Sequence, residues 1–254
     1  MGKIITVNIQ KGGSGKSTTT QALTSCLSSM GNKCLIVDLD HQGNVSYSSG
    51  IEYAEKTTYE FLKGEISADE AIQRCPEFDI IPANILLSGA DMEFTKTGRE
   101  YLLKDKLEEL KNKYDYIILD TPPSLGILSV NSLTAADYVV IPTEATFYSL
   151  QGMGQLYNTI ESVRRYCNKD LKILGLLLIK YNNRTILSRQ VKDLIEDTAR
   201  QMNTKVFKQT IREGIAVKEA QAQQESLLIY APNSNPSLDY LELTKEIVKE
   251  IENV

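Results

Sequence analysis

The sequence has 254 residues, of which 42% are hydrophobic and 24% are charged, and these proportions are typical of a globular protein. They exclude a disordered chain, a collagen-like chain and a disulfide-rich scaffold. The net charge of −5 excludes a polycation that coats nucleic acid with its whole surface. The chain has a single histidine, His41, which argues against a Ser-His-Asp triad and against a metal site built from several histidines.

The cysteines and the apolar runs indicate the cellular compartment of the protein. The four cysteines (Cys26, Cys34, Cys75 and Cys167) are widely spaced, which favours a reducing compartment and argues against structural zinc. The apolar start of the chain is too short for a signal peptide, and no window approaches 18 apolar residues. The sequence therefore predicts a soluble, cytoplasmic protein.

Short apolar runs alternate with longer helical patterns along the chain, as in a parallel α/β sheet. Buried strands are predicted at Ile4–Ile9, Cys34–Leu39, Tyr116–Leu119, Tyr138–Ile141 and Ile173–Ile179, with a weaker one at Val206–Ile211. Helices are predicted at Ser17–Met30 and Ser237–Val254, and mixed short helices at Glu52–Gly98. We expect one α/β domain over residues 1–254, with a mostly parallel, twisted sheet flanked by helices.

A glycine-rich turn, QKGGSGKST at residues 10–18, joins the first predicted strand to the first predicted helix. Such a turn closes its backbone N–H groups on phosphate oxygens at the positive end of a helix. Lys16 would reach the β- and γ-phosphates, and the Ser17 hydroxyl would bind Mg²⁺. Gln10 replaces the first glycine of the strict motif, and Lys11 is an additional lysine. The predicted nucleotide-binding residues are Lys11, Gly12, Gly13, Ser14, Gly15, Lys16, Ser17 and Thr18.

Three acids follow predicted strands. Asp120 ends the strand Tyr116–Leu119, and at the carboxyl edge of the sheet it would hold Mg²⁺ through water. Asp38 and Asp40 lie at the end of the second strand on alternating faces, so only one of them points squarely at the phosphates. Asp38 is either a partner of magnesium-bound waters or a structural hydrogen-bonding group. His41 is interpreted as a loop residue.

These motifs resemble the ParA/MinD family of deviant Walker A ATPases, and within it the small ParA-type partition proteins. Lys11–Thr18 resembles the deviant Walker A motif, and Val37–Asn44 resembles D-x-D-P-Q-G-N with His41 in place of proline. Tyr114–Leu125 resembles the Walker B strand and the loop after it. Two later segments, Ala135–Pro142 and Tyr148–Leu156, match the partition branch.

The resemblance implies a P-loop NTPase fold and Mg²⁺-dependent hydrolysis of ATP, with Lys11, Lys16 and Asp40 as catalytic residues. In the family, the lysine at Lys11 crosses a dimer interface to the partner's phosphates, and the aspartate at Asp40 positions the attacking water. The metal site would comprise Ser17, Asp40 and Asp120. ATP would create a sandwich dimer that binds DNA non-specifically on the nucleoid, and a ParB-like centromere-binding protein would stimulate hydrolysis and release.

The nucleobase site is less legible in the sequence. The guanine-reading motif of GTPases has no clear equivalent, since IKYNN at residues 179–183 lacks the aspartate. The resemblance to the ParA/MinD family implies that the nucleotide is ATP. Asn182 and the turn at Arg212–Gly214 are candidates for the adenine site.

Positive charge is concentrated between Lys180 and Lys218, where nine bases and four acids give +5, against −10 for the rest of the chain. This segregation is typical of a surface that binds the phosphate backbone, or of an ordinary solvated face. The family commonly has IPRNVRL where this chain reads IREGIAV, so its second arginine is absent and Lys218 is a substitute. The predicted DNA-binding residues are Arg184, Arg189, Arg212 and Lys218.

Three other functions occur on scaffolds of this kind. A related ATPase that positions a protein cargo would use the same switch. A MinD-like membrane-positioning ATPase ends in a basic amphipathic helix, whereas Ser237–Val254 carries −3 and predicts no membrane partner. Its apolar residues are expected to pack on the sheet: Leu238, Leu241, Ile247, Val248 and Ile251. An iron–sulfur carrier on this scaffold needs paired cysteines, which the sequence lacks.

Overall fold

A computed structural model describes residues 1–182 and 186–253. Within these residues, seven strands form one sheet in the order β3-β4-β2-β5-β1-β6-β7. All neighbouring strands are parallel except β3 and β4, which are antiparallel. The strands are β1 (Lys3–Val7), β2 (Cys34–Asp38), β3 (Gln73–Arg74), β4 (Asp79–Ile81), β5 (Tyr116–Asp120), β6 (Tyr138–Glu144) and β7 (Lys172–Ile179).

Helices connect the strands and cover both faces of the sheet. Among the described residues they are α1 (Lys16–Ser29), α2 (Asn44–Ser48), α3 (Thr58–Lys63), α4 (Ala68–Ala71), α5 (Ala90–Glu93), α6 (Leu102–Leu107), α7 (Ile127–Ala135), α8 (Phe147–Tyr166), α9 (Ile186–Gln201), α10 (Ile215–Ala222), α11 (Leu227–Tyr230) and α12 (Asn235–Glu252). Short 3₁₀ turns lie at Ile85–Gly89, Arg99–Tyr101 and Leu110–Asn112.

The core lies on both faces of the sheet because successive strand residues point to opposite sides. Ile117 packs in the cluster that contains α7, α8 and α9 residues, whereas its neighbour Ile118 packs in the cluster that contains α1 and α12 residues. Both isoleucines are fully buried. This explains why the strands have nearly continuous apolar sequences, and it confirms the predicted α/β architecture.

The weaker strand predicted at Val206–Ile211 is wrong. Only Val206 makes a bridge, to Leu176 of β7. The polar residues that follow break the ladder, because the backbone N–H groups of Lys208 and Gln209 donate to the Glu246 carboxylate of α12, both at 3.1 Å. Conversely, the region predicted as mixed short helices also contains the short strands β3 and β4.

The apolar residues of the last helix, α12, pack mainly in the core on the α1 side of the sheet, with α1 as the neighbouring helix. Ile247 and Ile251 are buried in the core, and Leu241 and Val248 pack against it. Leu238 contradicts the expectation, because it lies 45% exposed near the start of the helix. In the part of the chain that the structure describes, no helix combines the length and the apolar character needed to cross a bilayer.

Parallel strands bring their carboxyl ends to one edge of the sheet, and this edge positions the site. Asp38 ends β2 and Asp120 ends β5, and the two residues are directly paired in the register. Glu144 ends β6 and pairs with Ile179, the last residue of β7. The glycine-rich loop that follows β1 lies at the same edge.

Candidate nucleotide site

The glycine-rich loop has a backbone that only glycine adopts without strain. Gly13 and Gly15 have φ angles of +71° and +69°, in the left-handed region. A Cβ on Gly15 would also lie 2.7 Å from Cδ1 of Ile179. The loop therefore passes close under the end of β7 and enters α1 at Lys16, with its free N–H groups at the start of the helix.

Lys16 is buried, with 6% of its surface exposed. Its Nζ donates to the backbone carbonyl of Lys11 at 3.1 Å, and the Ser14 hydroxyl donates to the same oxygen at 2.8 Å. Burial lowers the pKa of Lys16, while the nearby Asp120 and Asp40 carboxylates raise it. The ammonium group is thus shielded from water and has one neutral carbonyl as its hydrogen-bond acceptor. An anionic oxygen would be a stronger acceptor.

Asp38 is held by backbone and hydroxyl donors. Its carboxylate accepts hydrogen bonds from the Ser46 hydroxyl at 2.6 Å, the Ser46 N–H at 3.2 Å and the Asp40 N–H at 3.0 Å. Burial and the Asp120 carboxylate raise its pKa well above the ordinary value. Two roles are predicted for Asp38, and these contacts support that of a structural hydrogen-bonding group, because they fix the loop that carries Asp40.

Asp120 is fully buried but only half satisfied. Its Oδ1 accepts a hydrogen bond from the Thr20 hydroxyl at 3.1 Å, whereas Oδ2 is buried and has no hydrogen-bond partner among the described residues. Burial raises the pKa of Asp120 to about 6, against the lowering effects of the Ser17 hydroxyl and the Lys16 ammonium. A carboxylate oxygen of this kind, buried without a hydrogen-bond partner, fits the role of a ligand for a cation or its bound water.

The donor set fits magnesium. Ser17, Asp120 and Asp40 offer oxygen atoms, which Mg²⁺ prefers. Within the described residues, no group of three or more histidine, cysteine or acidic side chains is arranged to hold a metal by itself. The three oxygen donors leave coordination positions for waters and substrate phosphates, as in other Mg²⁺ sites.

Asp40 lies beside the loop and is 4% exposed. Its Oδ1 accepts a hydrogen bond from the Gln42 N–H at 3.1 Å and lies 3.6 Å from Nδ1 of His41. His41 occupies the turn before α2, as the loop interpretation expected.

A cavity of about 530 Å³ opens beside the loop, Lys16, Ser17 and Asp40, and its volume is ample for a nucleotide. Its wall includes Gly12, Gly13, Ser14, Gly15, Lys16, Ser17, Thr18, Asp40, Lys180, Lys218 and Gln221. A second cavity of about 80 Å³ adjoins it and shares Gly15, Thr18, Lys180, Val217 and Lys218. The turn predicted for adenine, residues 212–214, lines this second cavity.

Lys11 is turned toward its own subunit. Its Nζ lies 3.1 Å from Oε2 of Glu144, and the other oxygen of that carboxylate lies 2.7 Å from Nζ of Lys180. Lys180 also donates to the Gly13 carbonyl at 3.3 Å. Three charged side chains from the loop, β6 and the end of β7 therefore meet at one corner of the site.

Comparison with known proteins identifies the family. The family described as "AAA domain" matches residues 2–173. "Sporulation initiation inhibitor protein Soj" of Bacillus subtilis is 42% identical over 252 residues, which cover 97% of this chain and 98% of Soj. "Chromosome partitioning protein ParA" of Caulobacter vibrioides is 37% identical over 253 residues, which cover 97% of this chain and 94% of ParA. The chain belongs to the ParA/Soj family of partition ATPases.

A solved structure extends this result to the fold. A protein of Mycobacterium smegmatis, described as cobyrinic acid a,c-diamide synthase with bound ATP analog and magnesium, superposes with a TM-score of 0.86 at 32% identity. The match covers 99% of this chain and 96% of that one. The P-loop NTPase fold expected from the ParA/Soj resemblance is confirmed.

The predicted DNA-binding residues do not share one environment in this ParA/Soj-family chain. Arg189 is exposed on α9. Lys218 is exposed on α10 and lines the nucleotide cavity. Arg212 makes two side-chain hydrogen bonds to the Asp239 carboxylate, from Nε at 2.9 Å and from Nη2 at 2.7 Å. Arg184 lies outside the described residues.

Acids from other elements reduce the excess positive charge of the segment 180–218. Lys180 pairs with Glu144, Arg212 with Asp239 and Lys205 with Glu250. Two further bases pair with acids on α9 itself: Lys192 with Glu196 and Arg200 with Asp197. Among the described bases of the segment, Arg189, Lys208 and Lys218 have no ion pair.

Several site residues escaped the sequence analysis. The Thr20 hydroxyl binds Asp120, and the Gln221 amide donates to the Thr18 hydroxyl at 3.0 Å. Thr20 lies one helical turn after Ser17, so helical spacing would have indicated it. Asn182, predicted for adenine, is exposed and is not one of the described residues that line either cavity.

Proposed function

We propose that this ParA/Soj-family chain is an Mg²⁺-dependent ATPase whose ATP-bound dimer binds DNA non-specifically and is released when a ParB-like partner stimulates hydrolysis. The observation that carries the proposal is a buried Lys16 in the wall of the large cavity, close enough to a half-satisfied, buried Asp120 for their charges to interact. One group would bind phosphate and the other would hold a cation. Both lie where parallel strands end, as nucleotide sites do in α/β folds.

In this proposal the phosphates of ATP replace the Lys11 carbonyl as the partner of Lys16. The N–H groups of residues 12–18 close on the phosphate oxygens, and the start of α1 adds its positive end. The bound ATP analogue in the M. smegmatis structure supports the choice of ligand. The cavity of about 80 Å³ beside Gly214 would take the nucleobase.

Ser17 and Asp120 would hold Mg²⁺, with Asp40 close by. The ion, when bound, neutralises phosphate charge. The protein's own contribution is to keep Asp120 fixed through Thr20 and to exclude bulk water from the buried edge.

Hydrolysis would need a positioned water and one more positive charge. Asp40 has a nearly buried carboxylate with one backbone donor on Oδ1, so it has lone pairs left to orient a water. Phosphoryl transfer depends mainly on such positioning and on charge neutralisation. Lys11 of a second subunit would supply the additional charge, so hydrolysis would depend on dimerisation.

For DNA we propose a face that includes Arg189 and Lys218, with Arg184 as a further candidate. Arg189 and Lys218 are exposed and have no ion pair among the described residues, so their charge is available to phosphates. Arg212 contributes less to DNA binding, because its ion pair with Asp239 offsets its positive charge. Lys218 lines the nucleotide cavity as well, which would couple nucleotide state to this face.

Positioning of a protein cargo by the same ATP switch stays an alternative. A neighbouring gene for a helix-turn-helix DNA-binding protein would favour partition, and a receptor or secretion gene would favour cargo. The packing of Ile247 and Ile251 in the core gives α12 a structural role, which does not favour membrane attachment through this helix.

The proposal is tested by retention of the full chain on immobilised, mixed-sequence DNA with a non-hydrolysable ATP analogue, with ADP and without nucleotide. We expect retention with the analogue alone, falling steeply with salt, as non-specific phosphate binding does. Anionic phospholipid vesicles serve as the second bait. Sedimentation with vesicles and no retention on DNA at low salt would contradict the proposal.

A further inference from the structure

Glu144 and Lys180, which meet Lys11 at one corner of the site, have no role in the proposed chemistry. The carboxylate of Glu144 ends β6, and its side chain is 22% exposed. Burial alone would raise the pKa of Glu144, but the hydrogen bonds and charges of Lys180 and Lys11 lower it below the ordinary value. Glu144 is therefore a carboxylate shared between two lysines.

The two lysines are not equivalent. Lys180 follows β7 directly, in a left-handed backbone conformation with φ of +48°, and it also donates to the Gly13 carbonyl. Lys11 has Glu144 as its ion-pair partner and lies in the loop itself. If Lys11 leaves, Glu144 keeps a partner at 2.7 Å, so no partly buried charge is left alone.

This arrangement conflicts with the role proposed for Lys11. An ammonium group paired within its own subunit cannot at the same time reach the phosphates of a second subunit. Exposed apolar side chains follow within one turn, since Phe147 and Tyr148 at the start of α8 are 57% and 84% exposed. The surface next to Glu144 along the chain is thus available to another copy of the protein.

We infer that Glu144 is a positioning residue that holds Lys11 within its own subunit, and that Lys180 makes the release of Lys11 possible. The inference rests on the proposed cross-subunit role of Lys11. In the unpaired subunit Glu144 binds both lysines, and in the ATP dimer it keeps Lys180 alone. Glu144 therefore weakens the dimer and raises the ATP concentration at which it forms, while Lys180 has the opposite effect.

The expected effects are moderate because the ion pairs are partly exposed. Releasing one such lysine costs about two- to fivefold in an equilibrium constant, and a symmetric dimer releases two, which gives about four- to 25-fold. Glu144→Gln should tighten the dimer by that factor. Lys180→Met should weaken it, since Glu144 then has Lys11 as its one lysine partner at this corner.

The test is the dimer dissociation constant, measured by analytical ultracentrifugation with magnesium and a saturating non-hydrolysable ATP analogue. Saturation separates dimerisation from any change in ATP affinity. The double variant Glu144→Gln/Lys180→Met should behave like Glu144→Gln, because no carboxylate is left to hold Lys11. Glu161→Gln on α8, which removes an exposed carboxylate paired with Arg164 at 2.7 Å, is the matched control and should change nothing.

Opposite signs for the two single variants are the decisive result, because loss of mere structural support would weaken the dimer in both. An unchanged or weaker dimer in Glu144→Gln, or a tighter one in Lys180→Met, overturns the inference. Thermal melting without nucleotide verifies folding, and Glu144→Ala should reproduce the shift of Glu144→Gln.

If Lys11→Ala dimerises like the parent, the cross-subunit role itself fails. If Lys11→Ala does not dimerise and Glu144→Gln is unchanged, only the positioning role fails.

Discussion

The phosphate loop at residues 10–18 and the basic segment at residues 180–218 carry positive charge in different ways. In the loop, Lys16 is buried and its partner is a backbone carbonyl five residues away in sequence. In the basic segment, exposed charges have partners on distant elements, such as Asp239 for Arg212 and Glu144 for Lys180. A buried cation with a weak partner is prepared for a ligand, whereas an exposed cation with a carboxylate partner is largely satisfied.

A cation contributes its full charge to phosphate binding only where it has no anionic partner. Lys16 keeps its full capacity for a phosphate because nothing anionic is bonded to it in the described structure. The net charge of +5 overstates the positive charge that the basic segment can offer to a ligand, because three of its bases pair with acids that lie outside the segment.

Lys16→Ala should have the largest effect. It removes the buried ammonium group at the loop, and loss of charge-assisted hydrogen bonds to phosphates should weaken ATP binding by at least about 100-fold. Isothermal titration calorimetry measures the loss. Lys172→Ala, an exposed lysine at the opposite end of β7, is the matched control. ATP affinity equal to that of the parent in Lys16→Ala would contradict the assignment of the loop.

Asp40→Ala should block hydrolysis and leave binding intact. Loss of the water-positioning carboxylate should slow ATP turnover by about 100-fold or more. Lys16 and the loop remain, so the variant should accumulate as an ATP-bound dimer in size-exclusion chromatography. Turnover at the parent rate, or a variant that stays monomeric with ATP, would move the catalytic role elsewhere, with Asp38 the next candidate.

Asp120→Asn should stabilise the unliganded protein in a pH-dependent way. The pKa of Asp120 is about 6 in the fold against an ordinary 3.8, so the folded state holds the proton more tightly. The stability from this proton is complete below about pH 4 and is lost as the pH rises to about 6. Asparagine does not titrate, so its advantage over the parent should grow by on the order of 2 kcal/mol between pH 4 and pH 6.5.

Urea unfolding in buffer with a chelator measures this difference. Asp197→Asn, at an exposed position on α9, is the control and should show no such growth. A difference between Asp120→Asn and the parent that is the same at both pH values would contradict the view that Asp120 is kept partly protonated by burial. The same variant should lose Mg²⁺-dependent ATP binding, because a neutral amide is a weaker ligand than a carboxylate for the cation or its bound water.

Arg189→Ala and Arg212→Ala should separate the two kinds of basic residue. Arg189→Ala should weaken binding to all DNA sequences alike and make the log–log salt slope shallower by about two for the dimer, one per subunit. Arg212→Ala should change the slope less and lower the melting temperature, because the buried Asp239 loses its guanidinium partner. Equal slope changes with unchanged melting would contradict the distinction.

The sequence predicted local features well and long-range partners poorly. The loop, α1, the main strands and the position of Asp120 follow from short patterns of apolar, glycine and acidic residues. Glu144 obeys the same rule as Asp120, an acid at the carboxyl end of a buried strand. It was missed because the apolar run predicted as a strand ends at Ile141, whereas β6 continues to Glu144 beside β7.

Pro142 is tolerated there for a physical reason. The pairing of β6 with β1 ends at Val140, so the proline ring interrupts no bond to that strand. Similarly, Val206–Ile211 has apolar residues suited to a strand, but the backbone N–H groups of Lys208 and Gln209 donate to Glu246 of α12. A partner 36 or more residues away along the chain leaves no local pattern from which it can be predicted.

The most direct test of the account is a mixing experiment for the action of Lys11 across the dimer. Lys11→Ala and Asp40→Ala subunits should each be inactive alone. In a mixed dimer, the ATP site of the Lys11→Ala subunit retains its own Asp40 and receives Lys11 from its partner. We predict that a 1:1 mixture recovers part of the parent ATPase rate, with a value of about a quarter for random pairing, in which half of the dimers are mixed and each mixed dimer has one complete site. A mixture as inactive as its two components, under conditions where mixed dimers form, would contradict the account.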